Sequence, residues 1–104
     1  MDTMIVMYNL ADGQKQEDFE QWLRDVDLPG YKKLRSMRNP SYYRGEGLLG
    51  EAAPAPYRYV VVIEMDSPEA VEQEMAAPEW EGFVADIESR IKDAAYVTAT
   101  RIAP

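Results

Sequence analysis

The sequence predicts an α+β fold in which a four-stranded antiparallel sheet carries its helices on one face. Three observations support this. Thr3 to Leu10 (TMIVMYNL) and Arg58 to Met65 (RYVVVIEM) read as strands. Each is followed by a turn signal and then by an amphipathic stretch with helical spacing, so the two halves repeat one pattern. The 104 residues match the common size of a single domain and leave no room for a second.

The elements follow in order. Ala11-Asp12-Gly13 is a turn, and from about Lys15 to Asp27 the residues Phe19, Trp22, Leu23 and Val26 fall at i, i+3, i+4 and i+7, one apolar helix face. Asp27-Leu28-Pro29-Gly30 is expected to break that helix, because proline restricts its predecessor and glycine permits a turn. Tyr31 to Arg35 suits a short helical turn. Met37 to Gly47 contains Pro40 and two glycines, which fits an edge or bent strand. Leu48 to Pro56 is a connecting loop. After the third strand, Ser67 offers a hydroxyl cap, Pro68 a preset first helical position and Glu69 an acid for the positive first turn. Ala77-Pro78 interrupts the helix, and Trp80, Phe83, Val84, Ile87 and Ile91 then share one face. Ala95 to Ile102, rich in β-branched residues, is the last strand. The order β-α-β-β-α-β is the split arrangement of ferredoxin-like domains. Arg58, Val60, Val62 and Glu64 alternate onto the face away from the helices, too apolar at its centre to be left to water. A homodimer joined sheet to sheet is therefore expected.

Composition narrows the function classes. The chain has no histidine and no cysteine, which removes a disulfide scaffold, thiolate chemistry and sulfur-ligated metals. A net charge of −8 repels phosphate backbones and anionic membranes, so nucleic acid and membrane partners are not expected. No apolar run approaches a membrane span. The amino terminus MDTMIVMYNL lacks a basic leader and Met1 leads almost directly into a strand, from which a cytoplasmic location is expected. No phosphate loop, dinucleotide fingerprint, nucleophile elbow or EF-hand spacing occurs, and neither metal nor cofactor is expected.

At Trp22-Leu23-Arg24-Asp25-Val26-Asp27-Leu28-Pro29-Gly30-Tyr31, at Ser67-Pro68-Glu69-Ala70 and at Pro78-Glu79-Trp80-Glu81-Gly82-Phe83, the chain resembles the dimeric α+β barrel superfamily. Within it the sequence is most similar to the small RedY-like and HapK-like proteins of pigment and alkaloid pathways, and more distantly to EthD-like proteins. The resemblance runs nearly end to end. It implies a homodimer and a role in secondary metabolism, while the superfamily spans several chemistries. EthD-like relatives commonly carry His-x-Pro where the first helix ends. This chain has Asp27-Leu28-Pro29, so a histidine mechanism does not carry over and haem ligation has no donor.

Asp27 occupies the helix-end position that, by the resemblance, faces a cavity. Partly buried, its carboxylate would act as a general acid or base; otherwise it stabilises the turn before Pro29. Asp25 points elsewhere. Tyr8 and Asn9 end the first strand on opposite faces, so only one enters the cavity between sheet and helices. Asn9 shares a face with Ile5 and Met7 and is the expected polar group there, its amide held either by a ligand or by strand-end hydrogen bonds. Tyr59 and Tyr43 are the expected phenol donors to a developing oxyanion. Trp22, Tyr8, Tyr31, Tyr43, Trp80 and Phe83 are candidate walls for a flat apolar ligand, with ordinary core packing as the alternative for the large aromatics. Arg44 and Glu64 are expected to pair at the dimer seam. The function read from these residues is a small cofactor-independent enzyme. It would act on an aromatic, alkaloid or polyketide-like intermediate by proton transfer, cyclisation, hydrolysis or rearrangement. A ligand-binding accessory protein and a cofactor-free monooxygenase are the alternatives.

Overall fold

The structure, a computed structural model, describes residues 2–104. Met1, expected to lead into the first strand, lies outside them. The elements run β1 (Asp2–Leu10), α1 (Gln16–Trp22), a π-helical turn (Leu23–Asp27), α2 (Leu28–Tyr31), β2 (Met37–Arg44), β3 (Tyr59–Met65), α3 (Pro68–Met75), a 3-10 turn (Pro78–Trp80), α4 (Glu81–Arg90) and β4 (Ile91–Thr100). The sheet order is β2-β3-β1-β4 with each neighbouring pair antiparallel, the ferredoxin-like arrangement.

Strict alternation places Met4, Val6 and Tyr8 of β1 and Tyr59, Val61, Ile63 and Met65 of β3 on one buried face. There they meet Phe19, Trp22 and Leu23. Ile63 and Phe19 are wholly buried, each stabilising the fold by about 1.5–3 kcal/mol relative to exposure. Tyr8, Phe19 and Tyr59 pack as an aromatic cluster with ring centroids 5.1–5.8 Å apart. The opposite face carries Ile5, Met7, Val60 and Val62, which remain partly exposed and lie opposite one another in register. Val97, opposite Ile5, is 40% exposed.

β2 is the edge strand that Pro40 requires. Its register slips between Arg38 and Ser41, where Asn39 takes φ 53°, a left-handed conformation asparagine tolerates. Ser67 caps α3 as expected, its Oγ accepting from the Ala70 N–H at 3.1 Å. Among the described residues, no helix is long and apolar enough to cross a membrane.

Three expectations change. The helix does not break at Asp27-Leu28-Pro29-Gly30; it continues into α2, because Pro29 lies in a first turn, where its missing N–H costs little. Between α1 and α2 the bonding widens, the Leu28 N–H reaching the Leu23 carbonyl five residues back. The extra residue in that turn rotates the helix face, so Val26 is 43% exposed and Asp27 turns inward at 5% exposure. The second helix stops at Arg90, and Ile91 is already extended as the start of β4, although it stays buried. Arg44 does not meet Glu64. In register it lies opposite Tyr59, and its guanidinium forks onto Glu20 with two 2.6 Å bonds. Glu64 accepts from the Asn39 amide instead.

Candidate functional site

A cavity of about 380 Å³ lies between the buried face of the sheet and helices α3 and α4, within the size range of small-molecule sites. Its walls are mostly apolar, with Met4, Val6, Met37, Val61 and Met65 from the sheet and Val71, Met75, Val84 and Ile87 from the helices. Unbranched methionines make such a wall adaptable in shape. Asp27 projects into it from the π-helical turn, and Tyr8, Tyr31 and Phe83 line it. Glu72, Glu88, Tyr96 and Thr98 also line it and are exposed, which makes them its mouth.

Asp27 is held from behind. The Tyr42 hydroxyl donates to its Oδ2 at 2.7 Å, while the Tyr42 ring lines a separate depression of about 240 Å³. Among the described residues Oδ1 accepts no hydrogen bond, which leaves it for the cavity. Burial pushes the Asp27 carboxyl up to about 6; the Tyr42 bond opposes this and the charge of Asp86 adds to it. An acid with that value changes state near neutral pH, as general acid–base work requires. Burial, then the Asp27 charge, also push the phenols of Tyr8, Tyr31 and Tyr42 far above the usual tyrosine range. They remain O–H donors under all ordinary conditions. The site thus groups one carboxylate, backed by the Tyr42 hydroxyl, with the phenols of Tyr8 and Tyr31 in an apolar enclosure. Such a set can take a proton from a bound molecule and donate hydrogen bonds to an oxygen gaining charge.

Of the residues singled out from the sequence, Asp27, Tyr8, Tyr31 and Phe83 meet in this cavity. The others do not. Asn9 lies outside it because β1 turns Met4, Val6 and Tyr8 inward, which sends Ile5, Met7 and Asn9 to the opposite face. There its Oδ1 accepts from the Arg58 N–H at 2.8 Å and its amide donates to the Pro56 carbonyl at 3.3 Å, fixing the entry to β3. Tyr59 donates to Glu20 at 2.8 Å and, with Tyr43, borders the smaller depression. Tyr43 is 57% exposed.

Trp22 is core: it stacks on Phe19 at 5.8 Å and donates to Asp86 at 3.2 Å, beneath the Arg90 guanidinium. Trp80 packs edge-on against Phe83 at 5.6 Å, outside the cavity wall. Tyr42 and Tyr96 were not singled out from the sequence. The spacing of Tyr42 at i+1 to Ser41 and i−1 to Tyr43 marks its strand face, but only the β2–β3 register, Tyr42 opposite Val61, turns that face toward Asp27.

The solved structures of other proteins agree with this architecture. HapK from Hahella chejuensis superposes with a TM-score of 0.78 at 25% identity, covering 100% of this chain and 95% of that one. An EthD family protein of Bacillus halodurans gives 0.75 at 14% identity, covering 98% and 99%. SnoaB, a cofactor-independent oxygenase from Streptomyces nogalater, gives 0.69 at 10% identity, covering 99% and 94%, a likeness of fold alone. Among curated proteins, none matches the chain in sequence. Residues 2–102 match the family described as REDY-like protein HapK, and the chain therefore belongs to the HapK family of REDY-like proteins.

Proposed function

We propose that this protein is a small homodimeric enzyme of secondary metabolism. It would act without metal or redox cofactor on an apolar aromatic or polyketide-like intermediate by proton transfer, leading to ring closure or rearrangement. The observation that carries the reading is Asp27, 5% exposed, with one oxygen bonded to Tyr42 and the other turned to a largely apolar cavity. In the reaction, Asp27 Oδ1 takes a proton from an acidified C–H or O–H of the substrate. The electron pair left behind moves to a neighbouring oxygen, which Tyr8 or Tyr31 stabilises by hydrogen bonding. The protonated Asp27 then returns its proton at the rearranged position, so atoms and electrons balance with no co-reactant. The absence of histidine and cysteine leaves Asp27 as the group in the cavity best matched to this role.

The homodimer is supported by the apolar outer face of the sheet, where Ile5, Met7, Val60, Val62 and Val97 form a patch that a second copy would cover. Native mass spectrometry of gently purified protein tests both parts together. A dimer that retains a few hundred daltons of aromatic compound supports the reading and supplies the substrate for assay. With that compound in hand, Asp27→Asn should reduce turnover by about a hundredfold or more while the dimer persists. Full turnover in the variant would remove Asp27 from the mechanism, binding without conversion by the native protein would make it an accessory protein, and oxygen uptake would make it a cofactor-free monooxygenase. A bare monomer would sink the homodimer.

A further inference from the structure

The charge pattern of the cavity narrows its ligand beyond an apolar shape. Three carboxylates border it, Asp27 within and Glu72 and Glu88 at the mouth, and no lysine or arginine lines it. The nearby cations are engaged elsewhere: Arg90 on Asp86 and over Trp22, Arg44 on Glu20, and Arg38 on Asp66. Burying a ligand carboxylate or phosphate here would place an anion in an apolar enclosure beside like charges, which is costly without a partner. A ligand cation meets the reverse situation. Asp27 is 5% exposed and its Oδ1 accepts no hydrogen bond among the described residues, so it is open to a ligand donor, and a charge-assisted bond to it would be about twice as strong as a neutral one.

We propose that the cavity binds an apolar ligand carrying a protonated amine or other cationic N–H donor, received by Asp27, and rejects ligands bearing a carboxylate or phosphate. This rests on the cavity being the ligand site. Glu72 and Glu88 act at longer range, favouring entry of the cation at the mouth, and their share is the salt-sensitive one because they are exposed.

The test uses three probes of nearly one shape: 1-naphthylmethylamine, 1-naphthylmethanol and 1-naphthoate. Their binding to the native full-length protein is measured by isothermal titration calorimetry at mildly alkaline pH, where Asp27 is ionised. The amine should bind roughly tenfold or more tighter than the alcohol, and the acid should bind weakest. Asp27→Asn should abolish the preference for the amine while leaving the alcohol within about threefold. Glu72→Gln combined with Glu88→Gln should reduce the preference at low salt. Glu17→Gln with Asp18→Asn, which removes the same net charge from the exposed side of α1, should leave it unchanged.

Equal affinities for the three probes, or tightest binding of the acid, would overturn the charge selection while leaving the cavity as a ligand site. A preference that falls equally in both double variants would assign it to net charge, which also overturns the proposal. If none of the three binds, the ligand site itself fails.

Discussion

Replacing Asp27 with asparagine should make the folded protein more stable at neutral pH. The carboxyl stands at about 6 in the fold against an ordinary 3.8, chiefly because it is buried. Below the ordinary value both folded and unfolded chains hold the proton, and the group costs nothing. Between the two values the folded chain holds a proton that the unfolded chain has released, so stability falls as pH rises through this window. Above about 6 the loss is complete, and a shift of about two units corresponds to about 3 kcal/mol.

Asparagine cannot ionise, yet its Oδ1 can still accept from Tyr42. Its amide, if left without an acceptor, would subtract about 1 kcal/mol or more. The variant should therefore gain about 2 kcal/mol at neutral pH, or a midpoint rise of roughly 10 °C for a domain of this size. Thermal unfolding of both proteins from pH 3 to 8 measures it, the difference between them isolating Asp27 from the other acids. A variant equally or less stable at neutral pH, or a difference that persists undiminished in acid, would refute the argument that Asp27 is buried and strained in its ionised form.

Four further outcomes follow from the same geometry. Tyr42→Phe removes a charge-assisted hydrogen bond of about 1.5–3 kcal/mol, so the Asp27 midpoint, followed by carboxyl carbon NMR, should rise by about one to two units; an unmoved midpoint would mean that the bond does not form in solution. Gly30→Ala places a methyl group against the Phe83 ring, and should cost about 1–3 kcal/mol in urea unfolding. Shortening the ring with Phe83→Leu should recover part of that loss, and simple additivity of the two changes would count against the contact. Ser67→Ala should cost about 1 kcal/mol, because the Ala70 N–H loses the Ser67 hydroxyl as its acceptor. Val62→Asp introduces a charge at the centre of the outer sheet face, and size-exclusion chromatography should then report a folded monomer. A dimer of unchanged strength would place the seam elsewhere.

The fold was legible because local signals agreed with the global arrangement. Alternation in β1 and β3, the Ser67-Pro68-Glu69 start of α3 and the edge character that Pro40 imposes on β2 are each decided within a few residues. The site was legible only where a residue's inward direction followed from its neighbours. Tyr31 and Phe83 were identified as candidate walls, and they line the cavity. Asn9 was assigned to the wrong face, since a strand pattern with apolar residues on both sides does not say which side the helices take. Ile5 and Met7 are as apolar as Met4 and Val6, and the choice depends on where α1 and α4 pack.

Asp27 shows the division most sharply. From sequence, helical spacing turns Val26 inward with Phe19, Trp22 and Leu23. The π-helical turn carries one more residue than that spacing allows, and it exchanges Val26 for Asp27 at the wall. The amino-acid sequence by itself determined the order of strands and helices, the Ser67 cap, the edge strand and the absence of histidine and cysteine from any chemistry. Tertiary structure decided which face of the sheet is covered, which aromatic residues are core and which are wall, and that a carboxylate stands buried between Tyr42 and an apolar cavity. The reason is physical: secondary structure follows from spacing over a few residues. The environment of Asp27 depends on a strand register, a widened helical turn and two packed helices that meet only when the whole chain has folded.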